Sequence, residues 1–403
     1  MTHTLKRTWL FSLGLVLVAS PMAQAQVSYT VNADGTTATI TGYSGTGGTL
    51  IIPPTTNTLS LTSIGDQAFL NCSLLTSVTI PVGVTNIGTE AFVSCSGLTS
   101  VTIPYGVTNI GTGAFEGCSS LTAANIPNSV TNIGTNAFEF CALTNVTIPG
   151  SVATIRYGAF SYCNSLTNVT ISNGVISIGI SAFYNCPRLA SVTIPGSVTS
   201  IGGGAFQSCP NLACVTIPGS VTNIGNYAFA SCYSLANVTI SNGVPGIGWG
   251  AFQSCTNLAC LTIPASVTNI GDYAFQSCAN LASVLFTSNA PAADSTVFIS
   301  DPTATAYYLS GTTGWSNTFA GRPAVLWNPQ IQTGCAGFGL QTNHFGFNIT
   351  GPTNFAVVVQ ACTNLAGGVW TPIQTNTLTN GCFYFCEPAL TNRFGRFYRF
   401  VTQ

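Results

Sequence analysis

The sequence predicts a β-rich solenoid: short coils stacked in one direction, followed by a small antiparallel β-sandwich. Three observations predict it. An Ala-Phe pair recurs ten times at almost constant spacing. A segment of alternating apolar residues follows each pair at a fixed distance. The polar residues are mostly Thr, Asn, Ser and Gly, and only 4% of the chain is charged.

The repeat comes first, because self-similarity at a fixed period decides the architecture. Its phenylalanines are Phe69, Phe92, Phe115, Phe138, Phe160, Phe183, Phe206, Phe229, Phe252 and Phe275; every step is 23 residues except the 22 from Phe138 to Phe160. We number the coils one to ten by these residues. A Cys stands three residues after each Phe, from Cys72 to Cys278. Then comes L-x-x-V-x-I-P, as in Leu75, Val78, Ile80 and Pro81, and a second apolar segment, as in Val84, Ile87 and Gly88. Val and Ile with one outward residue between them have the period of a strand, and Pro ends it because it cannot donate to a ladder.

So short a coil cannot bury its own apolar residues. Stacking places Leu over Leu and Phe over Phe and closes one core. Strands of successive coils then form a parallel sheet with neighbours about 4.8 Å apart, so ten coils span on the order of 50 Å. The Gly after each Ile (Gly65, Gly88, Gly111, Gly134) is expected to hold a turn with positive φ. Arg156 replaces it in coil five, beside the one-residue deletion between Cys141 and Leu143, so a local irregularity is expected there.

The pattern I-G-x-x-A-F-x-x-C-x-x-L-x-x-V-x-I-P, as in Ile87 to Pro104, resembles the BspA-type leucine-rich repeat of bacterial surface proteins. The resemblance covers about residues 50–286. It implies a right-handed solenoid with a role in adhesion or protein binding. It implies no particular ligand, because such proteins share the scaffold and differ in outward residues.

The remaining segments follow from composition. Residues 1–25 read as a signal peptide: Lys6 and Arg7, a twelve-residue apolar stretch too short to span a bilayer, and Ala23-Gln24-Ala25 as the cleavage site. Residues 26–49 read as an N-terminal hairpin cap turning at Asp34-Gly35. Residues 50–286 are the solenoid. Residues 287–327 form a C-terminal cap, with Trp315, Phe319 and Trp327 suited to covering the last coil. Residues 328–403 read as the β-sandwich, with strands near Phe345–Ile349, Phe355–Ala361, Val369–Gln374, Cys382–Cys386 and Arg396–Val401. Its run from Thr363-Asn364-Leu365 to the terminal Gly395-Arg396-Phe397-Tyr398-Arg399 resembles a C-terminal module repeated among secreted bacterial proteins.

Charge and composition restrict function. Without residues 1–25 the chain keeps six Arg, no Lys and nine acids, a net charge of −3. No basic field exists for nucleic acid or anionic lipid. No membrane insertion is expected once the signal is cleaved. His344 is then the sole His, the acids are scattered singly, and no spacing proposes a carboxylate pair for acid–base work. Neither catalytic residues, nor a metal site, nor a cofactor are expected.

Sixteen Cys in an exported chain invite a disulfide reading. The ten-membered ladder argues for free thiols, since bridges would pair coils two by two and break their equivalence. A linear ladder does not converge on zinc either. Cys214 and Cys260 lie two coils apart, roughly 9.6 Å, too far to bridge. Cys335, Cys362, Cys382 and Cys386 are the better disulfide candidates.

Two outward surfaces are candidate contact sites for an extracellular protein or glycan. One is the strand column that includes Thr193, Thr216 and Thr239. Thr suits exposed strands, and repeats duplicate, so the column has a plain structural account; the functional one is a flat polar array for a repeating surface such as glycan or ice. The other is Tyr227, Trp249 and Tyr273, at the turn before Ala-Phe in coils eight to ten. Lateral packing alone accounts for them; as an exposed edge they would supply rigid interface anchors. The expected function is a secreted or cell-surface binding protein, with a carbohydrate-binding protein or, less so, an ice-binding protein as alternatives.

Overall fold

The computed structural model describes residues 27–403, apart from 57, 328–329, 333–338, 341–343, 352–354, 363–368, 379–381, 389–396 and 403. The expected signal peptide lies outside the described residues. The described residues form a solenoid of about twelve turns with parallel sheets and no α-helix, followed by antiparallel strands. No helix among them is long and apolar enough to cross a membrane.

The phenylalanines form one stacked column. Ring centroids lie 4.7 Å apart from Phe69 to Phe92 and 5.5 Å apart from Phe252 to Phe275, with planes within 7° in both pairs. All ten are fully buried, in one continuous apolar cluster running from Ala38 to Phe319. Tyr43 covers one end of the column against Phe69, and Phe298 extends the other against Phe275.

Three sets of backbone bonds join successive coils wherever the stack is regular. The strand after Leu pairs in parallel, as in Ser77–Ser100, Val78–Val101 and Thr79–Thr102. A two-residue strand pairs likewise, as in Asn86–Asn109 and Ile87–Ile110. On the turn, each column Phe amide donates forward to the carbonyl of the residue before the next Phe, as Phe183 does to Ala205 at 2.8 Å and Phe275 to Val297 at 3.0 Å. Polar side chains reinforce this: Thr99 Oγ1 donates to the Thr76 carbonyl (2.9 Å), and Asn109 Nδ2 to Asn86 Oδ1 (2.6 Å). A polar, almost uncharged composition therefore suits a fold in which each coil must satisfy its neighbour's backbone.

The glycines after Ile do not have positive φ, contrary to expectation. Gly65, Gly88, Gly111 and Gly134 lie outside the left-handed region. They are needed for close approach: a Cβ on Gly111 would come within 2.6 Å of the Gly88 carbonyl carbon. The left-handed residues come two positions later, as Glu90 and Asn136, and just before Cys, as Ser94 and Phe140.

The expected irregularity is present at coil five. The strand row stops between coils three and four, where Ala123–Asn125 does not pair with Asn145–Ile148, and the two-residue row between coils four and five, where Asn132–Ile133 does not pair with Thr154–Ile155. The shortened chain and the side chain of Arg156 together account for it. Where Gly134 and Gly179 each donate an amide bond to the preceding coil's Ile, no such bond forms from Arg156. Its Nε instead donates to Asn132 Oδ1 (2.9 Å), ending the Asn ladder. The sheet is thus three segments rather than one. A second gap, between Asn237–Ile240 and Cys260–Ile263, has no counterpart in sequence spacing. In the other row, Pro245 replaces a Thr whose amide would donate, as Thr222 does to Thr199.

At the N-terminus, Val27–Val31 and Thr37–Tyr43 form an antiparallel hairpin, and Thr37–Tyr43 pairs in parallel with Leu59–Ile64. Asp34 accepts from the amides of Thr36 and Thr37 and from the Thr37 hydroxyl, which holds its carboxyl down at about 2.

The coil pattern continues past Phe286. Thr305–Leu309 pairs in parallel with Ser283–Phe286, and Arg322–Trp327 with Thr305–Leu309. Trp315 and Phe319 pack on Phe286 as expected, whereas Trp327 belongs to the core of the last domain. There, His344–Thr350 pairs with Cys382–Pro388, and Ala356–Cys362 lies between Thr371–Thr377 and Phe397–Thr402, all antiparallel. That core includes Phe347, Val357 and Phe385, and it recruits Leu285 from the solenoid. Leu285 takes the outward position held by Thr262 one coil earlier, and all four residues of Ser283–Phe286 are buried.

Candidate functional site

The turn segment around Ala-Phe is held rigidly. It carries two left-handed residues per coil, and its amides are tied to the next coil. Side chains there project from a backbone with little freedom.

Tyr227, Trp249 and Tyr273 come together on this segment. Trp249 meets Tyr227 at 4.4 Å between centroids and Tyr273 at 5.2 Å, edge to face both times. All three are half-buried. Tyr227 and Tyr273 occupy left-handed positions, with φ of 57° and 59°. Gly250, at the same position in coil nine, has a φ of 57°, and a Cβ there would lie 2.8 Å from the Tyr227 ring. Trp249 stands one residue earlier, so the indole fits between the two tyrosines rather than stacking above them.

Thr193, Thr216 and Thr239 are exposed on the strand segment, a different part of each coil. Thr216 pairs directly with Thr239, and Thr170 with Thr193, so the column is in register. The structure does not bring the Thr column and the aromatic edge into one site.

A third feature escaped the sequence reading. Glu139, Tyr157, Ser161, Tyr162 and Tyr184 line an open depression of about 210 Å³ on coils four to six. Tyr162 stacks on Phe140 (4.6 Å, 18°) and meets Tyr184 edge-on (5.3 Å, 73°). Gly158 forms part of the floor, where a Cβ would collide with Asn136 Oδ1. That oxygen is buried without a hydrogen-bond partner. Burial raises the Glu139 carboxyl, with a Ser161 hydrogen bond opposing it. Glu116, one coil before, is raised by burial and then by the charges of Glu139 and Glu90. Aromatics at turn positions in consecutive coils were the signal available; it was hidden because they occupy different phases of the repeat.

The cysteine ladder has no catalytic character. Each buried thiol donates to the carbonyl of a Phe one coil earlier, as Cys118 does to Phe92 (3.2 Å) and Cys209 to Phe183 (3.3 Å). Burial pushes the Cys163 thiol up to about 12. Thiolate, the nucleophilic form, is suppressed. The ladder thiols are free, and so are Cys362, Cys382 and Cys386, so the expected tail bridges do not form among these three; Cys335 lies outside the described residues. Cys382 and Cys386 stand four apart on one strand, about 13 Å, beyond bridging reach. Among the described residues no group of three or more His, Cys, Asp or Glu is placed to hold a metal ion.

Comparison with known proteins agrees with the repeat. Residues 52–167 and 153–282 match the model of the BspA type leucine rich repeat region, in six copies. A leucine rich cell surface protein from Faecalibacterium prausnitzii A2-165 is 31% identical over 74% of this chain and 96% of its own, with a TM-score of 0.41. A leucine-rich repeat protein from Bacteroides ovatus ATCC 8483 is 25% identical, covering 65% and 93%, with a TM-score of 0.33. The leucine rich repeat protein of T. pallidum is 26% identical, covering 58% and 87%, with a TM-score of 0.32. No curated protein matches. The family model spans more than half of the chain, over the same residues whose phenylalanines and thiols stack in the structure; the chain belongs to the BspA-type leucine-rich-repeat family.

Proposed function

We propose that this protein is exported and acts at the cell surface or beyond it as a binding or adhesion protein. The solenoid is the platform, and an extracellular protein or glycan is the ligand. The reading is of a binding role rather than catalysis. One observation carries it: coils eight to ten present Tyr227, Trp249 and Tyr273 on the turn segment as an interlocked row, each ring in edge-to-face contact with the next. Half-buried aromatics on a fixed backbone offer large apolar area with few rotors to order, the usual property of interface anchors.

A glycan reading draws on the Thr column. Thr193, Thr216 and Thr239 are exposed on paired strands, a polar array at a repeat of about 4.8 Å. Such a uniform surface suits a repetitive ligand held weakly at each unit.

One experiment tests the proposal and separates the two surfaces. The purified protein is screened against surface proteins and a glycan array, and the ligand found is titrated against Trp249→Ala and a Thr193/Thr216 double alanine variant. Both variants must first keep their circular dichroism and melting temperature. A true anchor at Trp249 is worth about 2 kcal/mol. Unchanged affinity in folded Trp249→Ala, with a marked loss in the Thr variant, moves the site to the sheet. No ligand from either screen sinks the proposal.

A further inference from the structure

The depression on coils four to six differs in chemistry from the aromatic edge, because a carboxylate stands among its rings. Glu139 lines it together with Tyr157, Tyr162 and Tyr184. Phe140 backs Tyr162, so that ring is fixed, and Tyr184 closes a corner against it. Tyr157 is 54% exposed at the rim. The feature lies where the coil spacing is disturbed, at the junction that carries the deletion and Arg156.

The Glu139 carboxylate lines the depression, and further acids follow it along the same edge. Glu90, Glu116 and Glu139 come from three successive coils, and their mutual repulsion bears on Glu116. The unpaired Asn136 oxygen adds a carbonyl dipole beneath the floor. Arg156, the basic residue next in sequence to Tyr157, is turned toward Asn132. No cation among the described residues offsets the charge of Glu116 or Glu139.

Tyrosine rings beside an uncompensated carboxylate recognise a cation, above all a guanidinium, which is planar, packs on aromatics and pairs with carboxylate. The chain's own last domain uses the same chemistry: the Arg399 guanidinium sits 4.4 Å from the centre of the Trp370 ring and donates to Gln360. A depression of about 210 Å³ suits the head of one side chain rather than a polymer segment. We propose that this depression, formed by Glu139, Tyr157, Tyr162 and Tyr184, receives an arginine side chain presented by an extracellular polypeptide. The partner surface is basic, which also complements a chain that has no Lys and a net charge of −3 without residues 1–25.

The test uses the whole purified protein and a pair of short peptides, Gly-Arg-Gly and its neutral isostere Gly-citrulline-Gly, both with blocked ends. Titration followed by saturation-transfer NMR reads binding. The arginine peptide is expected to bind with a dissociation constant on the order of millimolar, and the citrulline peptide at least about tenfold more weakly. Glu139→Gln should remove most of that difference, Tyr162→Phe should retain binding, and Tyr162→Ala should lose it. Binding should weaken as salt rises, and as pH falls toward the raised Glu139 carboxyl. Trp249→Ala should leave this affinity unchanged, which separates the site from the aromatic edge. Equal binding of the two peptides, no binding of either, or an effect of Trp249→Ala equal to that of Glu139→Gln would overturn the proposal. So would a neutral oligosaccharide that binds at Tyr162 more tightly than the arginine peptide, which would make the depression a sugar subsite.

Discussion

Asp301 takes, in the eleventh turn, the place that Cys278 takes in the tenth. Each stands three residues after a phenylalanine of the column, Phe298 stacking on Phe275 at 5.6 Å. The Cys278 thiol donates to the Phe252 carbonyl (3.1 Å), whereas both Asp301 carboxylate oxygens are buried with no hydrogen bond of ordinary geometry, the Cys278 backbone being a weak neighbour. A protonated Asp301 has the hydroxyl donor that this position calls for. Burial pushes its carboxyl up to about 7, opposed by the charge of Arg322 and, less, by the nearby Cys278 backbone.

Stability at the C-terminal end should therefore depend on pH. The folded state binds the Asp301 proton more tightly than the unfolded state, whose carboxyl titrates near 3.8. The stabilisation is complete below about pH 4 and is lost as pH rises to about 7. Asp301→Asn keeps a donor and cannot ionise, so its melting temperature should be flatter than wild type between pH 5 and 8. An identical pH profile in the variant would show that Asp301 is not the group responsible.

Truncating the column at its centre should be costly and should spread. Phe183→Ala should destabilise by roughly 3–5 kcal/mol. Because each coil contacts only its neighbours, hydrogen exchange should accelerate in coils five and seven as well as six. Protection lost only within coil six would contradict that coupling.

The thiols should separate by burial. Alkylation of the folded protein should label Cys214, Cys382 and Cys386, all exposed, and spare buried ladder members such as Cys118 and Cys186. In denaturant without reductant the ladder should label too. Cys118→Ser keeps a donor for the Phe92 carbonyl and should cost less than Cys118→Ala, which removes that bond and leaves the carbonyl only the Cys95 amide, a loss of about 0.5–1.5 kcal/mol. Mass spectrometry and melting curves read these outcomes.

The glycine requirement should be steric and local. A Cβ on Gly134 would lie 2.5 Å from the Gly111 carbonyl carbon, so Gly134→Ala should cost about 1–3 kcal/mol or more. Coil five already accommodates a side chain at this position, so Arg156→Ala should cost far less, limited to the bond to Asn132. Equal losses in the two variants, measured by denaturant unfolding, would mean that the wider junction does not relieve the contact.

Much of this protein was legible in its sequence because the repeat reports the same environment ten times. Each Phe, Cys and Leu of the pattern sees equivalent residues above and below, so periodicity alone fixed the stacked column, the thiol ladder and the parallel strands. The junction at coil five was legible for the same reason, since a 22-residue step and Arg156 break an otherwise uniform spacing. What the tertiary structure alone decided depends on how closely neighbouring coils approach. Gly111 looked like a turn residue, yet the contact with Gly88 excludes its Cβ. Asp301 escaped notice because the Ala-Phe motif becomes Val297-Phe298, and only stacking on Phe275 reveals the eleventh turn. Glu139, Tyr157, Tyr162 and Tyr184 hold different phases of the repeat and meet only because coils are laid side by side. Sequence spacing records positions along one coil; a depression between coils belongs to the distance across them, and packing sets that distance.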